Sequence, residues 1–174
     1  MSAVGERNDL GQTPGERYRI LTAYRTIAMV GLSSNYYNPS SFAAVYLDAN
    51  GYDVVPVNPV SAGKREILGR PVYADLREAA AQHSRPIEIV DVFRPSHEAV
   101  AMAEQAIDIG AKVLWLQLGV INDEAAALAR EAGLSVVMDR CCKIEHARFF
   151  GGLRTIGLNT AVVTSRLGMR LPRD

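Results

Sequence analysis

The sequence predicts an α/β protein, a single doubly wound parallel sheet covered by helices on both faces. Three observations predict it. Short, nearly continuous apolar runs recur along the chain, amphipathic segments lie between them, and the joins carry helix-cap residues and glycines. At 174 residues the chain is long enough for one domain with a sizeable core. No solenoid-type repeat or low-complexity stretch interrupts the pattern.

Residues 18–24 (YRILTAY) read as a short amphipathic helix leading into a first strand, TIAMVG. Asn38 is a helix N-cap, with Pro39 at the first helical position, where its missing N–H costs nothing. That helix runs through SSFAAVYLDAN and stops at Gly51, a residue suited to the left-handed position after a helix. The second strand is YDVVPVN; a loop, PVSAGKREILGR, then leads to an extended PVY and a helix starting near Asp75. IEIVDVF is a buried strand. SHEAVAMAEQAIDI follows as a helix capped by Ser96, with Val100, Ala103 and Ile107 at helical spacing, and Gly110 closes it. KVLWLQ is the next strand, NDEAAALAREA a helix capped by Asn122 and closed by Gly133, and SVVMD the last strand. The polar residues 1–17 read as a frayed lead-in without the apolar centre of a secretory signal. Residues 18–150 read as one Rossmann-like domain and 151–174 as a C-terminal extension.

Composition narrows the function. The formal net charge is zero, so no broad attraction to nucleic acid or to an anionic membrane is expected. Arg166, Arg170 and Arg173 are too few and too scattered to form a basic patch. No apolar run approaches the roughly 20 residues that span a bilayer. The only two cysteines, Cys141 and Cys142, are neighbours, and a disulfide between them would be strained. Reduced thiols and a cytoplasmic location are therefore expected. No His, Cys or carboxylate spacing suggests a metal site.

In sheets of this kind ligands bind outside the carboxyl ends of the strands. Gly31 permits close backbone approach there, and Ser33, Ser34, Ser40 and Ser41 present hydroxyls. The helix start at Asn38–Ser41 adds N–H groups and a positive dipole end, both suited to a phosphate or diphosphate. An NAD site would want Asp or Glu at the end of the second strand, but the chain has Asn58-Pro59 there. Asp53 lies at the opposite end of that strand. Lys64, Arg65 and Arg94 could meet the extra charge of a ribose phosphate, although Lys64 and Arg65 read equally well as solvated loop charges. NADP meets the same charge argument.

Several stretches together carry a resemblance: VGLS, VNP, VDVFR, WLQLG and MDRC, in that order. Across about residues 22–146 the chain resembles the stand-alone CoA-binding domain family, related to the CoA-binding domain of the succinyl-CoA synthetase alpha chain. The resemblance implies coenzyme A or an acyl-CoA as ligand. Gly31, Leu32, Ser33 and the Asn38–Ser41 helix start would hold the diphosphate. Asn58, Pro59 and Val60 would flank the adenosine, and Phe93 and Arg94 would lie across the pocket. Gln117 and Gly119 would line the route of the pantetheine arm, and Cys141 would end the last matching strand. The first loop departs from the family pattern, reading Tyr37-Asn38-Pro39-Ser40 where an Asn-Arg-Pro-like run is common.

No Ser-His-Asp order, paired-carboxylate motif or metal spacing is visible, so a non-catalytic binding module is expected. An NADP-dependent oxidoreductase, or a subunit of an acyl-CoA ligase, is the alternative. His83 reads as exposed, His97 as part of a first helical turn and His146 as lying beyond the last strand, none with an evident partner. Cys141 is the one reactive candidate, since Arg140 and Lys143 could lower its thiol pKa and let it meet the thiol of CoA; the bland reading is a small buried residue. The C-terminal stretch is apolar enough to pack across the domain or a neighbouring copy, which suggests a homodimer.

Overall fold

The protein is described by a computed structural model over residues 13–151. In chain order the elements are α1 (Pro14–Ala23), β1 (Thr26–Val30), α2 (Pro39–Ala49), β2 (Asp53–Val57), β3 (Glu66–Ile67), β4 (Arg70–Pro71), α3 (Leu76–Gln82), β5 (Ile89–Val92), α4 (Ala99–Asp108), β6 (Val113–Leu116), α5 (Asp123–Glu131), β7 (Ser135–Val137) and α6 (Cys142–Phe150). Five strands form one parallel sheet in the order β2-β1-β5-β6-β7. The order reverses between β1 and β5, and that reversal is the topological switch point. The Rossmann-like α/β class is thus the observed one.

Alternation along each strand sends side chains to two separate cores. Ala28, Val30, Val90, Val92, Leu114 and Leu116 pack with alanines of α4 and α5. Ile27, Met29, Ile89, Val113 and Trp115 point the other way, toward Leu21 of α1, Leu47 of α2 and Phe149 of α6. Pro56 sits in β2, a strand with β1 on one side only. On the other side the expected PVY piece contributes a single parallel bridge, with the Tyr73 N–H donating to the Pro56 carbonyl at 3.0 Å. A proline is tolerated at such an edge because no ladder bond needs its missing N–H.

Three expectations are corrected, and one element is added. The first helix starts at Pro14 and not at Tyr18, because Thr13 and Glu16 form a reciprocal capping box. Ser96 does not cap α4; it opens a 3₁₀ turn over Ser96–Glu98, and its hydroxyl accepts from the Ile121 N–H at 3.0 Å. The loop after β2 contains the small β3–β4 hairpin. A helix, α6, follows the last strand. The caps at Asn38 and Asn122 are as expected, and Asp75, near which a helix start is expected, is also a cap; each accepts a backbone N–H from the first helical turn. The expected lead-in before residue 13 and the extension after 151 lie outside the described residues.

Candidate functional site

The loop after β1 is built around Gly31, whose φ of +86° is open to glycine and strained for other residues. A Cβ at this position would come within 2.9 Å of the Phe93 carbonyl oxygen and of Arg94 Cδ, so the loop lies directly against the end of β5. Ser40 and Ser41 are buried and hold the loop to α2. The Ser40 hydroxyl accepts from the Ser33 N–H at 3.0 Å, and the Ser41 hydroxyl shares its one proton between the carbonyls of Ser33 and Asn35 at 2.7 and 2.8 Å. The Ser33 hydroxyl accepts from Asn35 N–H, while Ser34 is exposed. The start of α2 is likewise self-satisfied, because Asn38 takes the N–H groups of Ser40, Ser41 and Phe42. Among the described residues, the N–H groups of Leu32, Ser34 and Tyr36 donate to no protein group. Free donors in this loop are therefore alternate backbone amides, with the serines and Asn38 serving as the frame. Sequence reasoning missed the Tyr36 amide because only the folded loop shows which N–H groups lack a partner.

Asn58 ties the second loop to the first. Its Nδ2 donates to the Leu32 carbonyl at 2.9 Å, and its Oδ1 accepts from the Val60 N–H at 3.0 Å. Pro59 and Val60 are exposed beside it. Lys64 reaches back to the Val60 carbonyl at 3.3 Å and, with Arg65, lines a cavity of about 330 Å³ under the hairpin. Arg94 is not free to meet a phosphate: its guanidinium forks onto Glu98 at 2.8 and 2.9 Å, which balances its charge. Asp53 lies at the opposite end of the sheet and holds His83 Nε2 at 2.9 Å. His83 is thus mostly covered and paired, against expectation.

At the switch point the floor is polar. Asp91, the third residue of β5, is fully buried between Met29 and Trp115. Its Oδ1 accepts from Gln117 Nε2 at 2.7 Å, and Oδ2 has no partner. Burial pushes its carboxyl up to about 8, against the smaller opposing pull of the Gln117 bond. Gln117 is itself buried, so what it presents to the rim is backbone: its carbonyl accepts from Val120 N–H at 2.8 Å. Gly119, at φ +84°, is held by Asp139 Oδ1 at 2.8 Å. Asp91 was not singled out from sequence, but there was a signal. A lone carboxylate inside a strand flanked on both sides has no solvent to face.

Cys141 is partly exposed at the N-cap of α6, and Cys142 is buried behind it. Burial raises the Cys141 thiol above its ordinary value, outweighing the amides of Ile144 and Lys143. The expected lowering by Arg140 fails, since that guanidinium turns back to the Asp139 carbonyl at 3.0 Å. His146 is buried in α6, with Nδ1 3.1 Å from the Tyr46 hydroxyl, and burial lowers its pKa. His97 is exposed on the 3₁₀ turn. No cluster of three metal-ligating side chains occurs among the described residues. Among the same residues, no helix is long and apolar enough to cross a membrane.

The geometry has counterparts in known proteins. Residues 25–147 match the family described as the CoA binding domain. The uncharacterized protein YneT of Bacillus subtilis is 37% identical over 128 residues, covering 74% of this chain and 90% of that protein. A hypothetical protein from Pyrococcus horikoshii superposes with a TM-score of 0.75 at 38% identity, covering 87% of this chain and all (100%) of that one. A Thermus thermophilus protein gives 0.73 at 32% identity, covering 80% of this chain and 100% of its own.

Proposed function

The chain belongs to the CoA-binding domain family, and we propose that it binds coenzyme A or an acyl-CoA at the switch point without transforming it. The observation that carries this reading is the loop after Gly31, where the amides of Leu32, Ser34 and Tyr36 stand free beside a close backbone approach. Amides without a protein partner beside a left-handed glycine are donors of the kind a diphosphate takes. In this reading Ser33, Ser40, Ser41 and Asn38 shape the cradle. Asn58, Pro59 and Val60 border the adenosine, Lys64 and Arg65 take its ribose phosphate, and Phe93 and Arg94 wall the crevice. Gln117, Gly119 and Cys141 border the arm that ends in sulfur. The reduced state of Cys141 and Cys142 accords with a cytoplasmic setting.

The test is calorimetry of the purified protein with CoA, acetyl-CoA, NAD and NADP, preceded by native mass spectrometry for retained ligand and for a homodimer. Selective CoA or acetyl-CoA binding is expected. Gly31→Ala is expected to weaken it at least tenfold, since the added methyl meets the Phe93 carbonyl. Preference for a nicotinamide cofactor, or no binding, overturns the reading.

A further inference from the structure

We propose that Asp91 is the floor of the ligand crevice, and that its free Oδ2 hydrogen-bonds a carbonyl oxygen on the sulfur-bearing arm of the bound CoA thioester. The proposal rests on the CoA reading above and names the chemistry that the deep end of the site would select.

Two buried side-chain N or O atoms among the described residues lack a partner, Arg70 Nη1 and Asp91 Oδ2. Arg70 belongs to the hairpin and is paired through its other terminal nitrogen with Asp48 at 2.7 Å. Asp91 is different in place and in kind. It sits on β5 at the strand reversal, where its register partners are Met29 on β1 and Trp115 on β6, both fully buried. One step further toward the rim along the same face of β1 is Gly31, which lies directly against Phe93 and Arg94. The thiols of Cys141 and Cys142, at the start of α6, are close enough for the Asp91 charge to act on both.

Gln117 occupies Oδ1 at 2.7 Å and fixes the plane of the carboxyl, so Oδ2 is left as the one atom able to bond anything further. Apolar residues at both positions 91 and 117 would fill this space without burying an unpaired oxygen, so the Gln117 bond leaves Oδ2 unexplained. With its carboxyl raised to about 8, the group is a neutral acid at neutral pH, hence a donor on one oxygen. A donor in an enclosed site selects a good acceptor. Thiol and thioether sulfurs are weak ones, and the diphosphate is taken by the loop amides. The thioester carbonyl and the amide carbonyls of the pantetheine arm remain, and they share one chemistry.

The experiment is calorimetry of wild type, Asp91→Leu and Asp91→Asn with CoA and with acetyl-CoA, alongside melting temperatures. Asp91→Leu strands the buried Gln117 amide, so it is expected to melt below wild type and to lose at least tenfold in affinity. Asp91→Asn, which keeps an N–H donor, is expected to stay within about threefold. Loss confined to acetyl-CoA identifies the thioester carbonyl, and equal loss for both ligands identifies an arm amide. Should Asp91→Leu fail to fold, the Asp91 carboxyl-carbon resonance of wild type provides the reading and is expected to move on adding acetyl-CoA. Wild-type affinity in a folded Asp91→Leu, or an unmoved resonance in ligand-saturated protein, overturns the proposal. If wild type binds neither ligand, it is the CoA reading that fails, and the two failures are thereby told apart.

Discussion

The two faces of this sheet are built to different rules. The face under α3, α4 and α5 is closed by alanines, with Ala99, Ala103 and Ala106 of α4 set near Ala125, Ala126 and Ala129 of α5. Small residues let the helices approach closely and leave few polar groups to satisfy. The face under α1, α2 and α6 buries Arg17, Ser40, Ser41, Asp91, Gln117, Glu145 and His146. One side is plain packing, and the other carries nearly all of the enclosed polarity. The polar face is also where the first loop, α6 and the switch point meet, so the burden of buried charge falls on the side with the candidate site.

The sharpest break in that comparison is expected from pH. The folded state holds the Asp91 proton up to about 8, whereas an unfolded carboxyl releases it near 3.8. Between those values the native state binds more protons, so wild type should lose stability relative to Asp91→Asn as pH rises. The slope is at most about 1.4 kcal/mol per pH unit. Below 3.8 both states are protonated and above about 8 neither is, so the difference should level off at both ends. Urea denaturation of both proteins at several pH values reads this directly, and parallel curves would remove the raised carboxyl.

Next in size is the ion pair between α1 and α6. Arg17 Nε meets Glu145 Oε2 at 2.8 Å, with the two side chains 5% and 1% exposed. Glu145 also meets Arg148 at 3.4 Å, so Glu145→Ala removes a carboxylate shared by two mostly buried guanidinium groups and should cost about 3–5 kcal/mol, whereas Arg17→Met with Glu145→Leu, which leaves Arg148 in place, should cost less. A double variant as unstable as the single one would show that geometry, not charge, holds these helices. On the plain face the corresponding damage is overfilling: Ala103→Leu should cost about 1–3 kcal/mol, with no dependence on pH. Smallest is Asn38→Ala, at about 1 kcal/mol from loss of the α2 cap. Its mark should be local, in faster amide exchange of the first loop, and unchanged exchange would argue against that frame.

Much of this architecture was legible in the chain. Strands enclosed on both faces must be apolar throughout, so TIAMV, IVDV and VLWL stand out, and Asn38, Asp75 and Asn122 mark helix starts by side-chain chemistry. The helix α6 did not stand out because CKIEHARFF buries Glu145 and His146, which inverts the usual amphipathic pattern. Ser96 misled because its hydroxyl serves a neighbouring loop rather than its own helix. The site residues Gly31 and Asn58 were legible as positions, but their roles as close contact and strut depend on partners 62 and 26 residues away, beyond any local pattern. The serines suggested donors by type, whereas the folded loop turns two of those hydroxyls inward.

Pro56 carries one further consequence. Among the described residues the outer margin of β2 meets a single bridge, from Tyr73, and an unpaired strand margin can template another chain into a growing sheet. A residue with no N–H on that margin interrupts the ladder an incoming strand would need. At the far side β7 is three residues long, too short to seed one. The described sheet is thus blunted at both ends, and resistance to aggregation is written into the strand that leads to the loop tied by Asn58.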